Sequence, residues 1–235
     1  EPETPPEEGE YELTEGEDEA LTFVNAGSAY SINNGGDNKS YNVSYSEINA
    51  ASYGENIFDA TNISALSREK NAFGITVKNN GTETVNVKID VMDTDIECDY
   101  SGQTPGLPNH QCINAVAYKN GISAVTDLQW GGSKFEIEAG KTDRLLVIFD
   151  GNPDKIALFF DSHMASGGPF SGNVEISEFR FGVATGEGIP EPAEPGEEPE
   201  TPTYDPSVFD GVEPTSVEFN IVPEVYTVKQ NEEKT

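Results

Sequence analysis

The residues from Ala72 to Asp93 constrain the fold of this chain more than any other stretch. Apolar side chains recur there at every second position, in two runs separated by the polar segment 79–82. These positions are Phe73, Ile75, Val77, Val85, Val87, Ile89 and Val91. Successive side chains of a strand point to opposite faces of a sheet, so each run predicts a strand with one buried face. Because Asn79-Asn80-Gly81 tolerates the positive φ of a tight turn, the sequence predicts that the two strands form a β-hairpin.

Strand patterns continue from residue 21 to residue 182. The clearest further runs are 21–24, 41–48, 114–118, 134–137, 144–149, 155–160 and 174–181. The run 144–149, RLLVIF, is almost continuously apolar, which is typical of a strand buried on both faces.

The last run changes phase within itself. Val174 and Ile176 share one face, and Phe179 can join that face only if an extra residue is inserted before it. The sequence therefore predicts a β-bulge near Ser177 and Glu178.

About eight to ten short strands with turn residues between them predict an all-β protein, a two-sheet antiparallel β-sandwich. The long connections favour a jelly roll. The immunoglobulin pattern of a Trp flanked by two distant Cys is absent.

Both ends of the chain differ in composition from the middle. Residues 1–20 carry ten acidic residues, and 184–211 repeat the same Pro- and Glu-rich theme. Such segments bury too little apolar surface to offset chain entropy, so both are predicted to be disordered acidic linkers around a domain at 21–183. Residues 212–235 are predicted to be the start of a following module or a docking strand.

The formal net charge is −30, from 43 acidic and 13 basic residues. A nucleic-acid partner or direct contact with an anionic membrane is therefore not expected, since both need Lys and Arg to neutralise phosphate. A neutral ligand or a cation suits this surface better, although much of the charge lies in the linkers and serves solubility.

The chain has two cysteines, Cys98 and Cys112, in a loop rich in Gly, Pro and Asn. In an exported protein they are expected to form one disulfide, worth about 3 kcal/mol for a loop of this length. A metal site would need more ligands than the neighbouring His110. No secretory signal or apolar transmembrane run is present, and the chain is interpreted as a fragment of a larger exported protein.

Several of these segments, in this order, resemble the jelly-roll carbohydrate-binding modules of bacterial polysaccharide-degrading and cell-surface proteins, whose fold is galactose-binding-domain-like. They are YNVSY, FGITVKNNGTETVNVKIDV, KFEIEAGKTDRLLVIFDG, KIALFFDS and SGNVEISEFRF. The resemblance implies non-catalytic glycan binding through aromatic platforms and polar side chains. The C-terminal segment resembles the first two strands of a bacterial Ig-like repeat.

The same resemblance implies a structural calcium ion near the chain ends. Asn25 and Glu178 are the candidate ligands, since calcium accepts both amide and carboxylate oxygens. Asn25 stands where the family has an acidic residue, and the alternative is that Glu178 is a bulge residue facing water.

The candidate sugar contacts combine rings with polar groups. Trp130, the only tryptophan, lies beside Gly131 and Gly132 and leads the aromatic candidates, which are Trp130, Tyr118, Tyr53, Tyr45 and Tyr100. Asp127, Gln129 and Asn114 are the polar candidates. The competing interpretation is that most of these rings fill the core.

No catalytic set is recognisable. The sequence Asp161-Ser162-His163 is interpreted as the end of a strand, because a triad is assembled from distant segments. We therefore expect a non-enzymatic carbohydrate-binding module of an extracellular multimodular protein, with a polysaccharide and its neighbouring modules as partners. The alternative is a structural or adhesive β-sandwich module of a cell-surface protein or filament.

Overall fold

The computed structural model describes residues 11–25, 29–49, 58–60, 63–97, 112–124, 133–162, 167–193, 217–222 and 225–230. At residues 25, 58, 59, 114 and 115 and within 217–230 only the backbone is described. Every regular element in these ranges is a β-strand, and they contain no helix that could span a membrane. The chain divides into two compact units, Glu1–Gly196 and Glu197–Thr235, which are described separately.

Thirteen strands are described in the first unit. They are β1 Tyr11–Glu15, β2 Phe23–Asn25, β3 Tyr30–Asn34, β4 Ser40–Ile48, β5 Phe58–Ala60, β6 Ala72–Asn79, β7 Val85–Met92, β8 Asn114–Lys119, β9 Ile122–Ser123, β10 Ser133–Ile137, β11 Thr142–Phe149, β12 Lys155–Phe160 and β13 Phe170–Gly186. An eight-stranded sheet has the order β3-β4-β13-β6-β11-β8-β9, with β1 also paired to β13, and a five-stranded sheet has the order β10-β7-β12-β5-β2.

The central eight strands follow the order of a jelly roll. Strands β4, β5, β6 and β7 pair antiparallel with β13, β12, β11 and β10, respectively. Along the chain, these pairs fall alternately in the eight-stranded and the five-stranded sheet. This is the arrangement of a long antiparallel ribbon wrapped into two sheets. The predicted all-β, two-sheet antiparallel sandwich is confirmed.

The two runs between Ala72 and Asp93 form strands, but the predicted hairpin is wrong. β6 pairs with β11 and β13, whereas β7 pairs with β10 and β12 in the other sheet. The seven alternating apolar side chains are all buried, at most 1 % exposed, and belong to one core. The alternation therefore predicted the buried face correctly, and the two strands lie on opposite sides of the core.

The connection from β6 to β7 is a corner between the sheets. The Asn79 Nδ2 donates to the carbonyls of Glu83 at 2.8 Å and Ile137 at 2.9 Å, and the Gly81 N–H donates to Asn79 Oδ1. No residue from 79 to 82 has a positive φ. The corner is held by the buried Asn79 side chain instead of by hairpin turn geometry.

Two local predictions are confirmed. The pairing of β13 with β6 shifts between Ser177 and Arg180, and Glu178 at this bulge has a φ of +54°. As a result Val174, Ile176, Phe179 and Phe181 all face the core.

Residues 145–149 of β11 are buried throughout, as expected for a strand inside a sheet.

The predicted N-terminal linker is wrong for residues 11–15, because β1 pairs with the end of β13 from Gly182 to Gly186. The Glu15 carboxylate lies 2.5 Å from Arg144 Nη2 and 3.4 Å from Arg180 Nη1. These are two of the three arginines in the chain. Gly74 leaves room for the contact, since a Cβ there would clash with the Arg144 guanidinium.

The predicted second linker also begins too early. β13 continues to Gly186, and Asn71 Nδ2 donates to the carbonyls of Ala184 and Pro190. In the second unit β14 Val217–Val222 and β15 Val225–Gln230 pair antiparallel.

Candidate functional site

Most of the predicted sugar-contacting residues lie outside the described ranges. These are Trp130, Tyr53, Tyr100, Asp127 and Gln129, and their roles stay predictions. Asn114 begins β8, where only its backbone is described.

Tyr45 lies in the core. Its ring is 6 % exposed and packs edge-on against Tyr30 at 5.4 Å, while its hydroxyl donates to Asp161 Oδ2 at 2.7 Å. Burial and the Asp161 charge both raise the pKa of Tyr45, so the hydroxyl stays protonated. This position corrects the prediction that Tyr45 is a sugar platform.

Tyr118 is enclosed on the other face of the eight-stranded sheet. It is 7 % exposed, its ring centroid is 4.4 Å from that of Tyr11, and it clusters with Leu146 and Ile148. Burial raises the pKa of Tyr118. Neither face of this ring is open for a sugar to stack, which corrects the second platform assignment.

The two predicted calcium ligands belong to different sheets. Asn25 ends β2 in the five-stranded sheet, whereas Glu178 lies at the β13 bulge of the eight-stranded sheet. The Glu178 carboxylate accepts a hydrogen bond from Thr76 Oγ1 at 2.5 Å and lies 3.9 Å from Arg180 Nη2. Within the described ranges no group of three or more His, Cys, Asp or Glu is placed to hold a metal. Calcium binding stays a prediction.

The structure describes one of the two cysteines. Cys112 is half-buried and bridges to Met92 through the backbone, while Cys98 lies outside the described ranges. The disulfide therefore stays a prediction.

A shallow cleft opens where edge strands of the two sheets come together. It has a volume of about 300 Å³ and is lined by residues of β2, β3 and β4. The lining residues are Phe23, Ile32, Asn33, Asn34 and Tyr41. β3 is at one edge of the eight-stranded sheet and β2 at one edge of the five-stranded sheet. We call this the seam cleft.

Aromatic packing fixes the apolar wall of the seam cleft. The half-buried Phe23 ring meets Tyr41 edge-on at 5.3 Å and Phe179 at 5.5 Å. The Tyr41 hydroxyl donates to the Leu21 carbonyl at 2.6 Å, and burial raises the pKa of Tyr41. The wall is therefore rigid and uncharged, with part of the Phe23 ring open to the cleft.

The Asn34 amide lies at the opposite rim, on the same face of the sheet as Tyr41, whereas the adjacent Asn33 side chain points to the outer face. Asn33 and Asn34 are exposed, and Asn34 Nδ2 donates to Asn38 Oδ1 at 2.6 Å. Asn38 has a φ of +58° in the tight turn after β3, and its backbone carbonyl accepts from the Leu21 N–H. This turn holds the Asn34 amide in place. None of the five lining residues carries a charge.

An aromatic ring beside a fixed amide is suited to a hydroxyl-rich ligand. The apolar face of a sugar can pack on Phe23, and amides both donate and accept hydrogen bonds with hydroxyl groups. A volume of 300 Å³ lies at the lower end of the range for ligand pockets.

Sequence reasoning missed this site. Phe23 belongs to the strand pattern 21–24, and neither this pattern nor the Asn-rich segment after it indicates which edge strands become neighbours. The sequence does contain a usable signal for this site, since an aromatic residue in a strand pattern is followed by the polar run Asn33-Asn34-Gly35.

No protein-family model matches this chain, and no curated protein matches it in sequence. The assignment of a function therefore depends on the fold and the side-chain chemistry.

Proposed function

We propose that the chain is a non-catalytic carbohydrate-binding module and that the seam cleft is its glycan site. The observation that carries this proposal is the pairing of the half-buried Phe23 ring with the exposed Asn34 amide across one uncharged cleft. The jelly-roll fold is compatible with this role but does not define it, because one fold hosts many functions.

The proposal includes the setting of the module. It acts outside the cell within a multimodular chain, where it holds its neighbours at a polysaccharide and raises their local concentration. The net charge of −30 argues against nucleic acid or an anionic membrane as the partner.

Affinity electrophoresis tests this directly. Native gels containing β-glucan, xylan, mannan or polygalacturonate are run with the wild-type chain and with Phe23→Ala. We expect retardation by at least one neutral polysaccharide, and Phe23→Ala should reduce it about tenfold or more, the scale of stacking losses.

Val24→Ala is the matched control. Val24 is adjacent to Phe23 but 52 % exposed and outside the cleft lining. Equal losses in the two variants, or no retardation by any polysaccharide, would contradict the proposal. Trp130→Ala, tested beside them, measures the contribution of the site predicted from sequence.

A further inference from the structure

The chain contains four Asn-x-Ser/Thr triplets, the sequence that N-linked glycosylation requires in exported proteins. They begin at Asn38, Asn42, Asn62 and Asn80. Asn62 lies outside the described residues, and the other three lie in a turn, in a strand and at a corner between the sheets. A triplet can accept a glycan in the folded domain only where its asparagine amide and its hydroxyl side chain are both accessible. The three described triplets therefore differ as acceptors.

The triplet at Asn38 is engaged in the turn after β3. Asn38 is half-buried and has a φ of +58°. Its Oδ1 accepts a hydrogen bond from Asn34 Nδ2 at 2.6 Å and lies 3.1 Å from the Tyr41 hydroxyl oxygen. The Asn38 amide would have to leave these contacts, which hold the rim of the seam cleft, before it could enter a transferase. This triplet is a poor acceptor.

The triplet at Asn42 lies within a strand. Asn42 is exposed, but β4 is hydrogen-bonded on both sides, to β3 and to β13. A transferase encloses its acceptor segment, so this triplet would first have to be pulled out of both ladders. Opening an internal strand costs a large part of the global stability. The folded domain keeps this triplet in its sheet.

The triplet Asn80-Gly81-Thr82 lies at the corner between β6 and β7, outside both strands. Asn80 and Thr82 are exposed, and within the described residues neither side chain takes part in a hydrogen bond. The middle residue is glycine, so no side chain stands between the amide and the hydroxyl. Exposed loop tips are also the places where added groups are tolerated best.

The backbone of this corner is anchored while its side chains stay in solvent. The Asn80 N–H donates to the Asn173 carbonyl at 2.8 Å, and the Gly81 N–H donates to Asn79 Oδ1 at 2.9 Å. Residue 80 does not line the seam cleft, so a glycan attached there leaves the proposed sugar site open.

From this contrast we infer that Asn80 is an N-linked glycosylation site and that, among the described triplets, it is the one the folded domain presents. The inference rests on the extracellular setting included in the proposed function, since glycan transfer takes place on exported chains. The donor class is an oligosaccharide joined through phosphate to a membrane lipid.

The transfer is a substitution at the first sugar of the donor. The Asn80 Nδ2 forms a bond to the anomeric carbon, and the bond from that carbon to the lipid phosphate oxygen breaks. The amide proton passes to a base of the transferase, and the lipid phosphate leaves with the electron pair.

Peptide mapping by mass spectrometry tests the inference. The folded full chain is incubated with a lipid-linked oligosaccharide and a single-subunit oligosaccharyltransferase that needs no more than the triplet, and synthetic peptides carrying each triplet are treated alongside. Every peptide should be modified. In the folded chain, occupancy at Asn80 should exceed that at Asn38 and Asn42 about tenfold or more, because those two segments must first leave the fold.

Two threonine variants make the matched comparison. Thr82→Ala should abolish modification at Asn80, because it removes the hydroxyl of the triplet. Thr84→Ala should leave it unchanged, since Thr84 is equally exposed at the same corner but lies outside the triplet. Both variants should be retarded by polysaccharide gels as the wild-type chain is.

An unmodified Asn80 in the folded chain, with the Asn80 peptide modified, would overturn the inference, and so would equal occupancy at Asn42 and Asn80. Either result would leave the proposed function standing, because retardation in gels measures the seam cleft separately. Modification of Asn80 in a chain that no polysaccharide retards would support the inference and contradict only the carbohydrate-binding role.

Discussion

A single buried carboxylate joins the two sheets of the sandwich. Asp161 is 1 % exposed, follows β12 with a φ of +52°, and accepts hydrogen bonds from the Asn86 backbone N–H at 2.8 Å, from Asn86 Nδ2 at 2.9 Å and from the Tyr45 hydroxyl. Tyr45 belongs to the eight-stranded sheet, whereas Asn86 belongs to the five-stranded sheet. The carboxylate therefore ends a strand in a satisfied interior network, consistent with the interpretation of Asp161-Ser162-His163 as a strand end.

Tyr45→Phe removes one donor to this carboxylate and adds nothing to the core. We expect the free energy of unfolding to fall by about 1.5–3 kcal/mol, the usual range for a hydrogen bond to a charged group. Urea unfolding at pH 7 measures it.

Tyr118→Phe is the control for this substitution. No hydrogen bond joins the Tyr118 hydroxyl to the described residues, so its loss should change stability by less than about 0.5 kcal/mol. Equal effects of the two substitutions would contradict the assigned role of the Tyr45 hydroxyl.

Tyr30 makes stability depend on pH at the alkaline end. Burial raises the pKa of Tyr30 to about 12, although its hydrogen bonds to Ser162 and to the Phe160 carbonyl oppose the shift. Its pKa in the unfolded chain is near 10. Above pH 10 the unfolded state loses this proton first, so stability is full below pH 10 and falls as the pH rises towards 12.

Urea unfolding at pH 8, 10 and 11 measures this slope, which for one tyrosine approaches about 1.4 kcal/mol per pH unit. Tyr30→Phe should be less stable at pH 8 but lose less stability between pH 10 and pH 11 than the wild-type chain. Identical slopes would exclude Tyr30 as a source of the alkaline sensitivity.

At the scale of elements, alternation predicted burial better than it predicted pairing. β6 and β7 have the bounds and buried faces that the apolar period indicates. A period of two is the same whether two strands are neighbours in one sheet or face each other across a core. Hydrogen-bond partners depend on the corner at Asn79, whose role comes from contacts to Ile137 that no local pattern contains.

Alternation also failed to indicate which outer faces are covered. Lys88 and Asp90 occupy the polar positions of the alternating β7 pattern and face away from the main core, yet they are only 1 % and 4 % exposed. Lys88 Nζ lies 3.5 Å from Asp90 Oδ1 and 5.5 Å from the centroid of the Phe159 ring. The pair is an ionic contact of the interior.

Lys88→Met keeps most of the side-chain volume but leaves the buried Asp90 carboxylate without this cation. We expect a loss of about 3 kcal/mol or more, since removing one partner of a buried ion pair is strongly destabilising. Thermal and urea unfolding measure it. Lys78→Met, in the exposed pair with Glu175, should cost less than about 1 kcal/mol. Similar losses in both variants would contradict the interior role of Lys88.

At the scale of the whole molecule, composition gave a wrong prediction for a segment that long-range tertiary contacts hold in a strand. The segment before residue 20 is acidic enough to predict a linker. β1 nevertheless pairs with β13, because Glu15 forms ion pairs with Arg144 and Arg180 and because Tyr11 packs on Tyr118. These partners are more than 100 residues away in sequence. No local reading of residues 11–15 contains that information.

The seam cleft was missed for the same reason. The strand at Phe23 and the Asn-rich turn are each visible in the sequence, but their proximity depends on the wrapping of the jelly roll, which brings an edge of each sheet together. Fold class could thus be predicted from periodicity, whereas the site required the order of the strands.

The central claim is that a glycan occupies the seam cleft, and residue-resolved NMR tests it most directly. A ¹⁵N-labelled chain is titrated with the hexasaccharide of the neutral polysaccharide that retards it in gels, and amide chemical shifts are followed. The account predicts saturable shifts centred on Phe23, Ile32, Asn33, Asn34 and Tyr41. Shifts that leave these residues unchanged and centre on the segment around Trp130 would contradict it.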